Sequence, residues 1–221
     1  MSPLVQVLIA KATIVVMVVG AVLLAALLIL ATIIVTAATS TLLMGGPPSA
    51  VAEDDIPPRL RIAYQDAAAT CPGLRWQVAA GIGKVESNHG RFGGATIADD
   101  GRALPPIIGI PLDGTNNTAR ILDTDGGRLD GDTVFDRAVG PFQFIPTSWA
   151  LFGVDGDHDG IRDPHDIDDA VPAMVRHLCP NGRITDIEAA IFSYNRSRAY
   201  VELVLSWADR YTAVAAMTDE L

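Results

Sequence analysis

The pattern of hydrophobic and polar positions divides the chain into two parts that follow different rules. From Ala12 to Met44 no charged residue occurs, and Val, Leu, Ile and Ala dominate. A helix crosses the hydrocarbon core of a bilayer in about 20 apolar residues, so this run predicts a transmembrane anchor at 12–44, preceded by a cytoplasmic N-terminus at 1–11. Gly45-Gly46-Pro47-Pro48-Ser49 and Pro57-Pro58 bracket a short acidic connector, which predicts an unpacked linker at 45–56. Beyond it the apolar positions become periodic. Helical patterns run from Arg59 to Thr70 and from Leu74 to Asn88, and in the second Leu74, Val78, Ile82 and Glu86 fall on one i, i+4 row with Val85 beside it. Residues 91–140 are rich in Gly, Asp and Pro and hold neither period, so they predict a long irregular insert of the kind that carries function. Helical signals return at Pro146 to Phe152, where Thr147 or Ser148 is placed to cap, and from Asp168 to Cys179, where Pro172 fits only a first turn. They continue from Asp186 to Asn195 and from Ser197 to Ala216, the last with Tyr200, Val201, Val204, Leu205, Ala208 and Tyr211 on one face. Strand signals are scarce. The expected fold is an all-α domain at 57–216 with a long irregular insert, on one N-terminal transmembrane helix.

Composition and charge then decide which side of the membrane that domain faces. Ala50-Val51-Ala52 has the look of a cleavage site, but the apolar core of a signal peptide is only about 7 to 15 residues long, which favours an uncleaved anchor. Lys11 precedes the span while Glu53, Asp54 and Asp55 follow it, a bias that keeps the N-terminus in the cytoplasm and places the domain outside the cell membrane. All 26 acidic residues and all but Lys11 of the 16 basic ones lie beyond residue 52, giving the exported part a net charge of about −11. Such a surface does not attract nucleic acid, so a neutral or polar substrate is expected. Cys71 and Cys179 have no C-x-x-C spacing and no histidines arranged about them; outside the cytoplasm they read as a disulfide, and inside it as two buried thiols.

Four strings carry candidate chemistry. Glu86, in Gly-Lys-Val-Glu-Ser-Asn-His-Gly, shares an apolar helical row, and a carboxyl group against apolar neighbours ionises with difficulty, as a general acid for glycosidic cleavage must; the alternative is an ordinary surface glutamate. Gly140-Pro141-Phe142-Gln143-Phe144-Ile145-Pro146 sets an amide between two aromatics, which suits a sugar ring or a plain core. Ser193-Tyr194-Asn195 offers two donors to a cleft, or a buried tyrosine with one partner. Asp155, Asp157, Asp159 and Gly160 stand at positions 1, 3, 5 and 6 of a calcium loop, with the backbone oxygen of Ile161 following and Asp166 where a glutamate is usual. A solvated Asp-rich turn is the other reading of that loop. Asp123, Asp125, Asp130 and Asp132 make a poorer calcium candidate. His89, His158, His165 and His177 form no zinc-ligand spacing, and there is no Gly-x-Ser-x-Gly elbow, so zinc and serine hydrolase chemistry lack support.

Taken in order, Cys71-Pro72-Gly73-Leu74-Arg75-Trp76, Gly83-Lys84-Val85-Glu86-Ser87, Pro106-Ile107-Ile108-Gly109, Leu112-Asp113-Gly114, Asp123-Thr124-Asp125-Gly126-Gly127, Asp136-Arg137-Ala138-Val139-Gly140-Pro141-Phe142-Gln143-Phe144 and Tyr194-Asn195 resemble the lytic transglycosylases of the lysozyme-like superfamily. The likeness is in particular to the actinobacterial relatives of membrane-bound lytic transglycosylase B, over Pro57 to about Tyr211. Phe142 departs mildly from a pattern in which Met is frequent. The resemblance implies a mostly helical lysozyme-like fold in which Glu86 is the single catalytic acid/base and Ser87, Phe142, Gln143, Phe144, Tyr194 and Asn195 contact substrate. It also implies that a structural calcium loop closes on Asp169, beside Ala170, where the loop spacing alone offers Asp166; no organic cofactor is expected. The expected reaction cleaves the MurNAc to GlcNAc bond of peptidoglycan and leaves 1,6-anhydro-MurNAc ends. A hydrolytic muramidase on the same fold, or a non-catalytic calcium-stabilised wall-binding scaffold of an envelope-spanning apparatus, are the rival expectations. Partners beyond glycan strands would be cell-wall synthesis, secretion or conjugation machinery.

Overall fold

A computed structural model of the chain describes residues 23–30, 32, 45–116 and 118–213. It divides into two units, Met1–Leu42 and Leu43–Leu221. In the first, residues 23–30 belong to a helix, α1, whose leucines are exposed. Among the described residues no helix is long and apolar enough to cross a membrane. The anchor expected at 12–44 falls for the most part outside the described residues.

The second unit is mostly helical. Its helices are α2 (Ala50–Asp55), α3 (Pro58–Ala69), α4 (Trp76–Ser87), α5 (Pro146–Phe152), α6 (Ile167–Leu178), α7 (Ile187–Tyr194) and α8 (Arg198–Tyr211). Helix α4 forms the centre of the core. Val78, Ala79, Ala80 and Ile82 are fully buried, and α4 packs most extensively on α8, then on α3 and α6. The two central helices approach closely because Gly81 has no side chain: a Cβ there would lie 2.6 Å from the carbonyl oxygen of Val204. The Leu74, Val78, Ile82 row points inward as its spacing predicts, so Glu86 one turn further emerges at the edge of the core. On α8, Tyr200, Val201, Val204, Ala208 and Tyr211 are buried and Leu205 is half-buried, which is the predicted face. Cys71 and Cys179 form a disulfide across 108 residues. Closing a loop of that length contributes about 4 to 5 kcal/mol in the chain-entropy model.

Four expectations need correction. The segment 45–56 is packed, not a loose linker. The Ser49 side chain caps α2, Ala52 and Ile56 are buried, Trp76 Nε1 donates to the Gly46 carbonyl at 3.0 Å, and the Ser49 amide donates to the Tyr211 carbonyl at 3.1 Å. Neither Thr147 nor Ser148 caps α5; Ile145 is the N-cap without a side-chain bond, and Pro146 starts the helix with a ring already set at helical φ. Pro172 lies inside α6, one turn beyond the first, where it forfeits a backbone bond. Helix α8 stops at Tyr211, short of the expected Ala216; residues 214–216 lie outside the described residues. The side chains of Asp166, Asp186 and Ser197 accept backbone amides at the starts of α6, α7 and α8, while Pro57 and Arg75 start α3 and α4 without a side-chain cap.

The insert is irregular, yet it contains strands too short to announce themselves by alternation. Strands β1 (Thr96–Ile97) and β2 (Ala103–Leu104) pair antiparallel, as do β3 (Ile108–Pro111) and β4 (Arg137–Val139). Between them, Asp123 Oδ1 accepts the amides of Asp125, Gly126 and Gly127, and the Asp125 carboxylate accepts those of Arg128 and Leu129. The acidic residues here substitute for the backbone ladder that the segment lacks.

Candidate active site

Glu86 sits in the last turn of α4, and the helix stops immediately after it. Asn88 and His89 both take left-handed backbone conformations, φ 53° and 59°, and the His89 amide returns to the Gly83 carbonyl at 2.9 Å. The half-buried Glu86 side chain faces α8, where the Tyr200 hydroxyl donates to Oε1 at 2.6 Å. Burial pushes the Glu86 carboxyl up to about 7, against the opposing pull of the Tyr200 hydrogen bond. No Lys or Arg pairs with it among the described residues. The hydroxyls of Tyr194 and Tyr200 are held well above their usual range, first by burial and then by the neighbouring Glu86, so both remain donors.

A cleft of about 300 Å³ opens at this point. Glu86, Gln143, Phe144, Tyr194 and Asn195 line it, so five of the predicted residues converge from α4, the loop before α5, and the end of α7. Gln143 is held in a left-handed conformation, φ 50°, and its Nε2 donates to the Gly140 carbonyl at 2.9 Å. That leaves the amide oxygen toward β3, where a Cβ on Gly109 would come within 3.0 Å of it. Tyr194 borders the cleft, but its hydroxyl donates to the Phe142 carbonyl at 2.7 Å and so braces the Gln143 loop. Phe144 packs edge-on against both Trp149 and Tyr194, which fixes the aromatic wall.

Ser87 and Phe142 do not reach the cleft. The Ser87 hydroxyl is buried, donates to the Pro141 carbonyl at 2.6 Å and accepts the Gly90 amide at 2.8 Å, locking the end of α4 to the loop. Phe142 is fully buried and meets Tyr64 edge-on. Both residues shape the site from behind. Two cleft residues, and the tyrosine bonded to Glu86, escaped sequence reasoning. Tyr200 reads only as one of α8's core positions, and Ser148 as a cap. His177, stacked on Phe152 and tilted against Tyr194, reads as a histidine without a ligand partner. Helical spacing sets the face each side chain takes, but only the packing of α6 and α8 on α4, with α5 against α6, brings them together around Glu86.

Two acidic groups are arranged so that they could hold a metal ion: Asp155, Asp157 and Asp159, whose oxygens lie within 4.8 Å of one another, and Asp123, Asp125 and Asp136. In the first, Asp155 Oδ2 accepts the Gly160 amide while its Oδ1 is buried with no partner. Asp169 is not gathered into that group. Its carboxylate accepts the Gly156 amide at 2.6 Å and the Asp163 amide at 2.8 Å, pinning both arms of the loop, while burial and then the nearby Asp157 and Asp155 raise its pKa. Asp166 caps α6, with burial chiefly responsible for lifting it to about 6. Ile161 donates its amide to Asp159 at 2.7 Å, and its side chain is exposed. In the insert, buried Asp136 takes the place expected of Asp130 and Asp132, which are occupied with backbone amides and, for Asp132, with Arg137.

Compared with family models, curated proteins and solved structures, the chain matches none.

Proposed function

We propose that the chain is a peptidoglycan lytic transglycosylase, membrane-anchored through residues 12–44, with a lysozyme-like domain outside the cell membrane and Glu86 as its acid/base. One observation carries the reading: Glu86 is the only carboxylate lining the cleft among the described residues. Most glycoside hydrolases set two carboxyl groups roughly 5 to 9.5 Å apart, one of them serving water or a covalent intermediate. A one-carboxylate cleft suits a reaction in which the substrate provides its own nucleophile. With its carboxyl near neutrality, Glu86 is protonated in a substantial fraction of molecules and can give its proton to the glycosidic oxygen as the C1–O bond breaks. The resulting carboxylate, stabilised by the Tyr200 hydroxyl, then takes the proton of the MurNAc 6-hydroxyl as that oxygen bonds to C1. The proton returns to Glu86, no water is consumed, and the ring closes. Gln143, Asn195 and Ser148 offer polar contacts at the rim of a sugar, and Phe144 an apolar one.

Incubating the full-length chain with purified peptidoglycan and weighing the products tests this directly. Anhydro-muropeptides, lighter by one water than hydrolytic products, are expected; products carrying the added water would make the chain a muramidase, and bound strands with no release would make it a scaffold.

The Asp155, Asp157 and Asp159 group fits a calcium ion, because a hard cation would satisfy the orphaned Asp155 Oδ1 and offset the crowded carboxylates around Asp169. Calcium would supply only charge neutralisation and loop rigidity there. Addition of calcium is expected to raise the melting temperature, and an unchanged melting temperature together with no binding heat would reduce the loop to a capped turn.

A further inference from the structure

Behind Glu86, on the far side of the last turn of α4, lies a buried polar chain that the proposed reaction does not use. His89 is fully buried between two tyrosines, its Nδ1 3.1 Å from the Tyr64 hydroxyl and its Nε2 3.0 Å from the Tyr211 hydroxyl. The Tyr211 hydroxyl donates to Asp55 Oδ2 at 2.6 Å, and Asp55 also receives Lys84 at 2.8 Å and Arg91 at 3.0 Å. Burial would raise the Asp55 carboxyl, but Lys84 and Tyr211 outweigh it and hold it at about 2, so the group is a carboxylate and can only accept. That fixes every proton in the chain. Tyr211 donates to Asp55, so its oxygen accepts from Nε2–H of a neutral His89, whose Nδ1 then accepts from Tyr64. The Tyr64 hydroxyl rests against Gly83, where no Cβ would fit, and its ring meets Phe142, whose carbonyl holds Tyr194.

The chain surrounds the segment under most backbone strain. Asn88 and His89 are consecutive non-glycine residues in left-handed conformations, which persist only where the surroundings over-determine them. His89 is both the strained residue and the centre of the network.

We propose that Asp55 is a positioning residue for Glu86: through Tyr211, His89 and Tyr64 it holds the left-handed turn that ends α4, making the segment 45–56 part of the active-site frame. The inference rests on the catalytic reading of Glu86, and it implies that processing at Ala52, buried in α2, would dismantle that frame. The titratable groups facing Glu86 itself are Tyr200 from α8, Tyr194 from α7 and His177 from α6, so a movement of α4's end registers in the Tyr200 contact.

The test compares full-length wild type with Asp55→Asn, Asp55→Glu and Tyr211→Phe, following melting temperature, kcat and KM on glycan strands, and the titration of a carboxyl-labelled Glu86 by NMR. In Asp55→Asn, kcat is expected to fall about tenfold or more while KM stays within about twofold. The Glu86 titration moves upward as the Tyr200 bond loosens, Tyr211→Phe follows in the same direction, and Asp55→Glu restores most of the loss. Folded variants with a lowered melting temperature but an unchanged Glu86 titration and kcat would overturn the proposal and leave Asp55 as a fastener alone. Should Asp55→Asn fail to fold, Tyr211→Phe decides. If the wild type cleaves no glycan, the catalytic reading fails, and the Glu86 titration still decides this one.

Discussion

Two carboxylates flank the last turn of α4, and they form a nearly controlled comparison. Glu86 on the cleft side and Asp55 on the buried side each accept a tyrosine hydroxyl at 2.6 Å, and both tyrosines, Tyr200 and Tyr211, come from α8. Burial pushes both groups upward. Yet Glu86 ends near 7 and Asp55 near 2. What differs is the cation: Lys84 and Arg91 lie within 3.0 Å of Asp55, and no basic side chain pairs with Glu86 among the described residues. Lys84 and Glu86 are two positions apart on one helix, so the same turn sends a positive charge to one side and leaves the other side without one. A short hydrogen bond is therefore not enough to commit a carboxyl group to its ionised form. The absent cation keeps Glu86 exchangeable, and the present one makes Asp55 a fixed structural anion.

Removing the exchangeable proton should produce the largest effect. Glu86→Gln keeps shape and is expected to fold and bind strands, but to lose anhydro-muropeptide release by more than the ~10² to 10⁴ credited to acid/base help, because one group serves both steps. The sign of its stability effect follows from the raised pKa. A folded-state value near 7 against an ordinary 4.5 means that the native state holds a proton which the unfolded state has lost between those pH values, so stability falls as pH rises through that window. Gln avoids the cost, so above neutrality the variant should melt higher, by about 1 to 2 kcal/mol after allowance for the half-exposed site. Near-normal product release would remove Glu86 from the mechanism.

The second effect lies on the other carboxylate. Lys84→Met retains the aliphatic stem and removes the charge, so Asp55 should titrate closer to its ordinary 3.8. A lowered carboxyl contributes stability that is present above its unfolded pKa and is lost as pH falls through the folded one, here between about 4 and 2. The variant should be less stable than wild type by about 1 kcal/mol at pH 7, with the gap closing as pH approaches 2. Urea denaturation at the two pH values measures it; a gap that persists at acid pH would assign Lys84's contribution to its cation–π contact with the Trp207 ring instead.

The sequence shows one side of this comparison far better than the other. The cleft side is written in a helical period, because Leu74, Val78, Ile82 and Glu86 lie four apart and a single helix suffices to place them. The disulfide is equally direct, since two cysteines leave one pairing. The buried side depends on residues 29 to 156 positions apart, Asp55 with Lys84 and Tyr211 at the two extremes, brought together only when α2, α4 and α8 pack. Asp55 reads in sequence as a charge flanking an apolar run, and the Gly-Pro composition of 45–49 hides a capped helix whose buried positions are only Ala52 and the following Ile56. Ser87 and Phe142 are misplaced for a related reason. Neighbours along the chain are not neighbours in the cleft: Ser87 is rotated by about 100° from Glu86 on α4, and Phe142, in the turn before α5, is buried against Tyr64 instead. The strands of the insert, two to four residues long, give period-two alternation no room to appear.

The smallest expected effect isolates the feature that the two carboxylates share. Tyr200→Phe removes one hydroxyl and keeps the ring among the core residues of α8, so the fold should survive with little change in melting temperature. The hydrogen bond it loses favours the charged form of Glu86, while burial, which favours the neutral form, stays. The Glu86 titration should therefore rise above its wild-type value of about 7, and the alkaline limb of the pH dependence of kcat should rise with it. Because the cycle starts from protonated Glu86 and forms the carboxylate only once that proton is given up, release of anhydro-muropeptides should persist to higher pH than in wild type. The same substitution at the other end of α8, Tyr211→Phe, leaves Asp55 with Lys84 and Arg91 and should barely change that group's ionisation at neutral pH. If Tyr200→Phe leaves the pH profile of kcat where it was, the hydroxyl does not tune Glu86, and burial alone sets the group's proton affinity.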